Sequence, residues 1–520
     1  MTQAFTDAAS YIINQFKGIR QIDGLNGLNG QISATTAINV EAQPIEDGSG
    51  YYLKTTLGNT KIAQLEGGYR IIKDFETEQD GTKYFIAYAE NEEQGALYKY
   101  DDTGFTLILN GLEVTGQANG ITMNDTAYDV FVFTNGKNFE SICFAKTPVT
   151  ETINPLYDSE VIEGLTIAEQ AGSLVIGGNN GVVSASRKGD IFDWDYVKPA
   201  DDLTKPWYQI VGKQITAVVP YINGLMVFTK DDSRMFLGNM SNYEDAEVQS
   251  ASLGGCFSYE SWCIHDKYLF FYDDNQKNIY YYLQSDIGQK VLGEPVGNNI
   301  QTFFHRPQKV SLMSFIGDNK SEIWLKIDDV TLIYNYFQGE FYQRKQNPVN
   351  SYCVYDYEIY SCDDNGNLFK ERAKNSENCI FDGVYIPAVY ETPYMDFGNC
   401  NYLKELDENP LLTYGKNFNN NFKITFDNIK KKKHKRIDLD QGADFIWADD
   451  DSPEEGVYLW DVAIFPADFS YIKGTKKAKA PNAFYYLKFI LETEKEGDDF
   501  AISQVELRID SVEKDTLGLK

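Results

Sequence analysis

Adjacent carboxylates recur at Asp231-Asp232, Asp273-Asp274, Asp328-Asp329 and Asp363-Asp364. Three more aspartates stand together at Asp449-Asp450-Asp451, with Glu454 and Glu455 close behind. Clustered carboxylates suit calcium. The four pairs, however, fall in one frame relative to the apolar runs around them, so they read as acidic hairpin tips on a solvated rim. The 449–455 turn lacks the fixed ligand spacing of a calcium loop and reads as a solvated acidic turn. The chain has three histidines, His265, His305 and His434. None has an i+4 partner or a neighbouring Cys/Asp arrangement of the kind that holds zinc. No Ser/His/Asp set can be assembled on a geometric basis, and no G-x-x-x-x-G-K-[ST] phosphate loop is present. No catalytic, metal-ligating or cofactor-binding residue is expected, and the chain is read as not an enzyme.

The residues that stand out are basic. Lys430, Lys431, Lys432, Lys433, Lys435 and Arg436 crowd into Ile429–Ile437, and a second group follows at Lys473, Lys476, Lys477 and Lys479. The first run is the candidate partner contact. Its targets would be DNA phosphates or an acidic protein face, including the acidic face of a neighbouring subunit. The plainer alternative is a solvated hairpin tip after the strand Phe422–Phe426.

What must position these residues is legible as a repeat. Seven times a short apolar or aromatic run stops at a polar turn and a second run follows. The turns begin at Asn91, Asn135, Asn179, Asp231, Asp273, Asp328 and Asp363, with steps of 44, 44, 52, 42, 55 and 35 residues. Hairpins recurring about every 40–50 residues mark a β-propeller. Asn135-Gly136 and Asn365-Gly366 suit tight turns that need positive φ. The short last step leaves open whether the final two hairpins share a blade, so six or seven blades are expected. The long steps imply insertions at Lys198–Trp207 and Gly288–Gln308, which would project and carry partner contacts.

The expected organisation is all-β. Residues 1–60 form lead-in strands, Ile32–Val40 and Tyr51–Thr56, that complete the last blade. Residues 61–375 form the propeller. Residues 380–510 form a β-sandwich-like domain with strands at Gly383–Tyr390, Phe422–Phe426, Tyr458–Ile464, Tyr485–Leu491 and Ala501–Arg508, and 511–520 form a tail. A short helix is expected around Ala8–Phe16. The 36 tyrosines and 32 phenylalanines of the 520 residues suit pleated, half-buried surfaces.

The net charge of −30 argues against a protein that grips nucleic acid. It is compatible with a smooth conduit, where adhesion would be harmful. Seven cysteines, an odd number without zinc-ribbon spacing, read as free thiols made in a reducing compartment. A Cys353–Cys362 bridge within one blade is the less favoured alternative. No signal peptide and no membrane-length apolar stretch is recognised, so a soluble, cytoplasmically made product is expected. Sialidase-like propellers repeat S-x-D-x-G-x-x-W. Here the nearest phrase, Ser184–Trp194, occurs once and has Lys188 where the aspartate belongs.

Several phrases taken in order resemble one family. They are Asn39-Val40 followed by Tyr51–Gly58, then Ser186–Trp194, Ile215–Pro220, Gly224–Thr229 with Gly238, and Gly254-Gly255-Cys256 with Ser258. The strand Tyr268–Tyr272 with Ile279–Tyr282 follows, and then Glu391–Gly398 with Lys404. Across most of 39–400 this resembles the propeller-type tail hub or nozzle proteins of short-tailed bacteriophages, including the packaged-DNA stabilisation type. Gly212–Ile215 carries one residue more than the family phrase. The Asn/Lys/Tyr/Ile-rich usage is compatible with a crAss-like phage of gut Bacteroidota. The resemblance implies a structural virion protein in a homo-oligomeric ring, usually sixfold, with twelvefold as the alternative. That ring lies below the portal and its adaptor ring and contacts other tail subunits and distal tail or fibre proteins. It would be assembled in the host cytoplasm, with genomic DNA passing through or plugged there during ejection. The competing reading is a monomeric glycan- or peptide-binding propeller.

Overall fold

The computed structural model describes residues 9–20, 31–45, 51–101, 103–124, 129–144, 149–157, 160–197, 202–221, 224–242, 246–252, 254–284, 290–317, 319–373, 376–397, 403–406, 408–415, 420–428, 432–437, 473–478, 480 and 483–512. Its contacts divide the chain into two units. One comprises Asn59–Gly339 and Asn347–Ala373. The other comprises Met1–Gly58, Glu340–Gln346 and Lys374–Lys520.

The first unit is a β-propeller. Among the described residues, five successive four-stranded antiparallel sheets span Arg70–Leu112, Asn119–Thr152, Thr166–Ile210, Ala217–Ser252 and Trp262–Leu292. A sixth blade has three strands in this unit, Val310–Gly317, Lys320–Ile327 and Val330–Asn335. The seventh is Ser351–Tyr355, Glu358–Cys362 and Asn367–Glu371, closed by Asn59–Gln64. First strands lie side by side from the first blade to the fourth and from the fifth to the seventh, the fourth and fifth blades meet through a shared core, and Ser351–Tyr355 lies against Arg70–Gln79, so the ring closes. The fourth and fifth blades share a core that includes Met226, Phe228, Phe271 and Tyr282.

Every one of the seven hairpin turns read from the sequence joins the second and third strands of a blade. The hairpins at Asp328 and Asp363 belong to different blades, which settles the count at seven. Their 35-residue step is short because the seventh blade takes its outer strand from before the repeats. That strand is Asn59–Gln64 alone. The expected closing strands Ile32–Val40 and Tyr51–Thr56 pair elsewhere: Tyr51–Thr55 runs antiparallel to Val40–Pro44 and meets Ala501 and Ile502. Six-residue Asn59–Gln64 suffices because it supplies the one ladder that the exposed edge lacked.

Alternating side chains pack blade on blade, and buried polar groups staple adjacent blades. Gln79, on the first blade, is fully buried. Its Nε2 donates to Ile142 O at 2.9 Å, and Phe144 N donates to its Oε1 at 2.6 Å. Gln79→Leu would strand both backbone groups of the second blade. It is expected to cost about 2–3 kcal/mol, read as a lowered urea midpoint with an unchanged slope. A variant as stable as the parent would show that water replaces the staple. His265 links the fifth and sixth blades in the same way, through Ser314 Oγ at 2.9 Å and Ser321 Oγ at 2.7 Å.

The second unit is built mainly on two β-sheets with strands from near both ends of the chain, beside a small parallel pair of Gln15–Ile19 with Gln31–Ala34. One sheet is ordered Lys473–Lys477, Leu411–Gly415, Ala501–Val512, Leu403–Leu406, Ala483–Phe484. Ala9–Ile13 also pairs with its long strand, from Ala9 opposite Ile509 to Ile13 opposite Val505. Residues 9–19 are therefore two strands rather than the expected helix. Tyr11 and Ile13 lie on a strand whose partner is far along the chain, which local pattern cannot reveal, and Phe16 lies on a second strand parallel to Gln31–Ala34. The other sheet runs Glu340–Arg344, Thr36–Ile38, Val389–Glu391, Lys488–Glu492, Phe422–Asp427, Lys432–Ile437. Phe422, Ile424, Phe426, Phe489, Leu491, Phe500 and Ile502 form a dry core. Phe422 and Phe500 lie 5.6 Å apart, and Phe426 and Phe489 6.1 Å apart. The sandwich-like expectation for the C-terminal region holds. The expected strand Tyr458–Ile464 and the 449–455 turn lie outside the described residues. The expected tail at 511–520 begins inside a strand that runs to Val512.

Candidate functional site

A constellation of buried ionisable groups ties several blades together, and the sequence reading did not single it out. It starts from Lys73-Asp74, two adjacent charges between apolar residues of the first strand of the first blade (RIIKDF within RIIKDFETEQ). Lys73 Nζ reaches Glu260 Oε1 at 2.7 Å, and Lys309 Nζ lies 3.7 Å from Glu260 Oε2. Glu260 precedes the fifth blade, and its carbonyl accepts from Leu312 N of the sixth at 2.8 Å. Tyr259, next to it, meets the Ala118 backbone at the start of the second blade. The Lys73 ammonium lies 5.1 Å from the Tyr259 ring centroid. A cavity of about 150 Å³ beside the ion pair is lined by Trp262, Met313, Trp324, Ser351 and Tyr352 among others. One short segment touches the first, second and sixth blades and shares a cavity with the seventh, so Tyr259-Glu260 lies toward the centre of the propeller and acts as a plug between blades.

Electrostatics explain why the plug is ionic. Burial alone would raise the Glu260 carboxyl, but the Lys73 and Lys309 ammonium charges override it and hold the group below its ordinary value. Burial lowers Lys326, aided by like-charged Lys309. Tyr259 is pushed well above its ordinary value by burial and by the Glu260 charge. Asp74 is different. It is 3% exposed, and neither carboxylate oxygen meets a partner at ordinary hydrogen-bond geometry, the Cys362 thiol lying close enough to favour the anion only weakly. Its backbone N–H donates to Ser351 Oγ at 3.3 Å. Burial pushes its pKa up to about 7, against the smaller opposing effects of the Cys362 thiol and Lys73.

The thiols beside it are inert. Burial holds Cys353 and Cys362 well above the ordinary thiol value. The six described cysteines are all free and buried. Cys353 stands opposite Tyr360 and Cys362 opposite Ser351, so the two do not bridge.

The Asp-Asp pairs are turn builders rather than uniformly solvated tips. Asp273 and Asp363 are buried. Asp273 Oδ1 accepts from Asn275 N at 2.8 Å, and Asp363 Oδ1 accepts from Asn365 N and Asn367 N, each at 2.9 Å. Asp328 Oδ1 accepts from Gln308 N and Lys309 N at 2.9 Å, which pins the lysine beside Glu260. Their second members Asp329 and Asp364 are exposed. Among the described residues, no group of three metal-ligating side chains converges, and no helix is long and apolar enough to cross a membrane.

The insertion at Gly288–Gln308 folds back in part. Asn298–Phe304 forms a 3-10 helix, and buried Phe304 packs 5.0 Å from Tyr272. With Gln276, Lys277, Gln301, Thr302, His305 and Arg306 it lines an open depression of about 540 Å³ on the fifth blade.

Of the candidate contact residues, Lys432, Lys433, Lys435 and Arg436 lie on the strand Lys432–Ile437, paired with Phe422–Asp427. They stand along a sheet edge, while Lys430 and Lys431 lie outside the described residues. Lys473, Lys476 and Lys477 lie on an edge strand of the other sheet of the same unit, and Lys479 is outside the described residues.

No protein-family model matches this chain, and no curated protein matches it. Solved propellers resemble its fold. The virginiamycin B lyase from Staphylococcus aureus is 10% identical, with 64% of this chain and 98% of that one covered and a TM-score of 0.38. The WD40 β-propeller domain of Doa1 is 9% identical, covering 60% and 96%, with a TM-score of 0.39. BamB from Moraxella catarrhalis is 11% identical, covering 62% and 99%, with a TM-score of 0.38. Likeness at this level carries no argument about this chain.

Proposed function

We propose that the chain is a non-catalytic structural protein, the subunit of a homo-oligomeric ring forming the hub or nozzle of a short-tailed phage tail below the portal and adaptor. The observation that carries this reading is the ion cluster that ties several blades together around Glu260. The Tyr259-Glu260 segment and its lysines are paired with one another rather than aimed at a ligand. The propeller then acts as a rigid wedge. Any conduit for DNA lies between subunits, and a surface of net charge −30 keeps DNA from adhering to it. The order of the phrases across 39–400 supports the family reading.

Mass spectrometry of purified virions, with light scattering of the isolated chain, tests the proposal. The chain is expected among tail components and in a closed oligomer. A chain absent from virions and monomeric at every concentration would overturn it. The second reading, a monomeric glycan- or peptide-binding propeller, is favoured by the depression around Gln301, His305 and Arg306. A monomer that binds a glycan, and loses it on Arg306→Ala, would select that reading.

A further inference from the structure

The two basic runs lie far apart in sequence and meet in the fold. Among the described residues, Lys432–Ile437 is the last strand of its sheet and Lys473–Lys477 the last of the other. Lys435 Nζ donates to Lys477 O at 2.9 Å, so the two edges approach each other at that point. Lys432, Lys433 and Lys477 are exposed, and Lys435 and Lys476 are half-buried. Two carboxylates answer them: Asp427, 3.4 Å from Lys432, and Glu408, 2.8 Å from Lys477. Lys433, Lys435 and Lys476 have no ion-pair partner among the described residues.

We infer that this double edge is one half of a heterologous subunit interface whose other half is an acidic face of a second copy of this chain. The inference rests on the ring reading and specifies its contact. A basic patch cannot face itself across a two-fold axis, because like charges would meet, so an isologous dimer through this edge is excluded. A head-to-tail contact joins unlike surfaces and, repeated, closes a ring. The chain supplies the unlike surface itself. Its net charge is −30 with these lysines included, so what lies outside the patch is more acidic still. Duplex DNA fits less well. A six-residue edge spans about 20 Å. A duplex carries a charge every ~1.7 Å along its length, so it would run off the patch onto acidic surface. Lysines also guard sheet edges against unwanted strand pairing, and a purely protective role predicts a different outcome.

The test compares the full chain with a Lys432→Glu/Lys433→Glu/Lys435→Glu variant and a Gln counterpart by sedimentation velocity in low and high salt. A duplex of about 30 base pairs serves as a separate probe. The parent is expected to assemble, more weakly in high salt. The Glu variant should associate at least about tenfold more weakly, with the Gln variant between. Unchanged circular dichroism separates this from misfolding, and a Glu variant that misfolds leaves the Gln variant to decide. If the variants assemble like the parent, the inference fails and the ring stands. If they lose duplex binding but keep assembly, the edge is a DNA contact and the inference also fails. A parent that is monomeric in every salt overturns both the inference and the ring.

Discussion

Asp74→Asn is expected to stabilise the protein at pH 8 by about 2–4 kcal/mol and to change stability at pH 4 by less than about 1 kcal/mol. The carboxyl is buried with neither oxygen meeting a partner at ordinary hydrogen-bond geometry, and its folded pKa of about 7 lies above its ordinary 3.8. The native state therefore holds a proton that the unfolded chain has already released between about pH 4 and pH 7. Stability falls as pH rises through that window, and the loss is complete above it. Asparagine cannot ionise and escapes the penalty. Urea unfolding of both proteins at pH 4, 6 and 8 reads the effect as a parent stability that declines with pH and a variant stability that declines less. A variant no more stable than the parent at pH 8 would mean that the carboxylate is partnered as an anion, by ordered water or by the Cys362 thiol.

The second large effect concerns the plug. Glu260→Gln removes the charge that holds Lys73 and Lys309 together, with Lys326 close by. The Glu260 and Lys73 side chains are 7% and 18% exposed, so water can relieve only part of the loss. The expected cost is about 2–4 kcal/mol, below the full figure for a completely buried pair because the Lys309 side chain reaches solvent. Lys73→Met with Glu260→Met should cost less than the sum of the single changes, because each single change leaves a charge stranded. The cycle needs the four proteins and one denaturation series. Additive costs would show that Lys73 and Glu260 do not act as a pair and would weaken the description of the cluster as an ionic plug.

Both effects arise at residues that the sequence reading passed over, and the reason is physical. Lys73-Asp74 within RIIKDF is a visible anomaly, two charges on a strand destined for burial, and it was the available signal. Nothing local says that Lys73 will meet Glu260, which lies 187 positions away. The turn aspartates were legible as turns. Which of each pair would be buried was not, because that depends on whether a neighbouring loop offers N–H groups, as Gln308 and Lys309 do for Asp328. The basic run was legible as charge. Its neighbour across the sandwich became visible only when two sheets brought their last strands together.

What the sequence by itself determined is the blade. Alternating apolar residues, Asn-Gly and Asp turns, and a spacing near 45 residues are local instructions, and each hairpin obeys them wherever it lies. What only the tertiary structure decided is everything that depends on closure. A ring of blades needs one strand from outside the repeat, and Asn59–Gln64 wins that place while Ala9–Ile13 and Tyr51–Thr55 before it join Ala501–Val512. The termini share one sandwich because each supplies an apolar face that the other covers. The ion cluster around Glu260 exists only because distant blades bring Lys73 and Lys309 within reach of one carboxylate. Local pattern specifies a strand and its partner in a hairpin, whereas closure is a long-range competition among edges settled by burial.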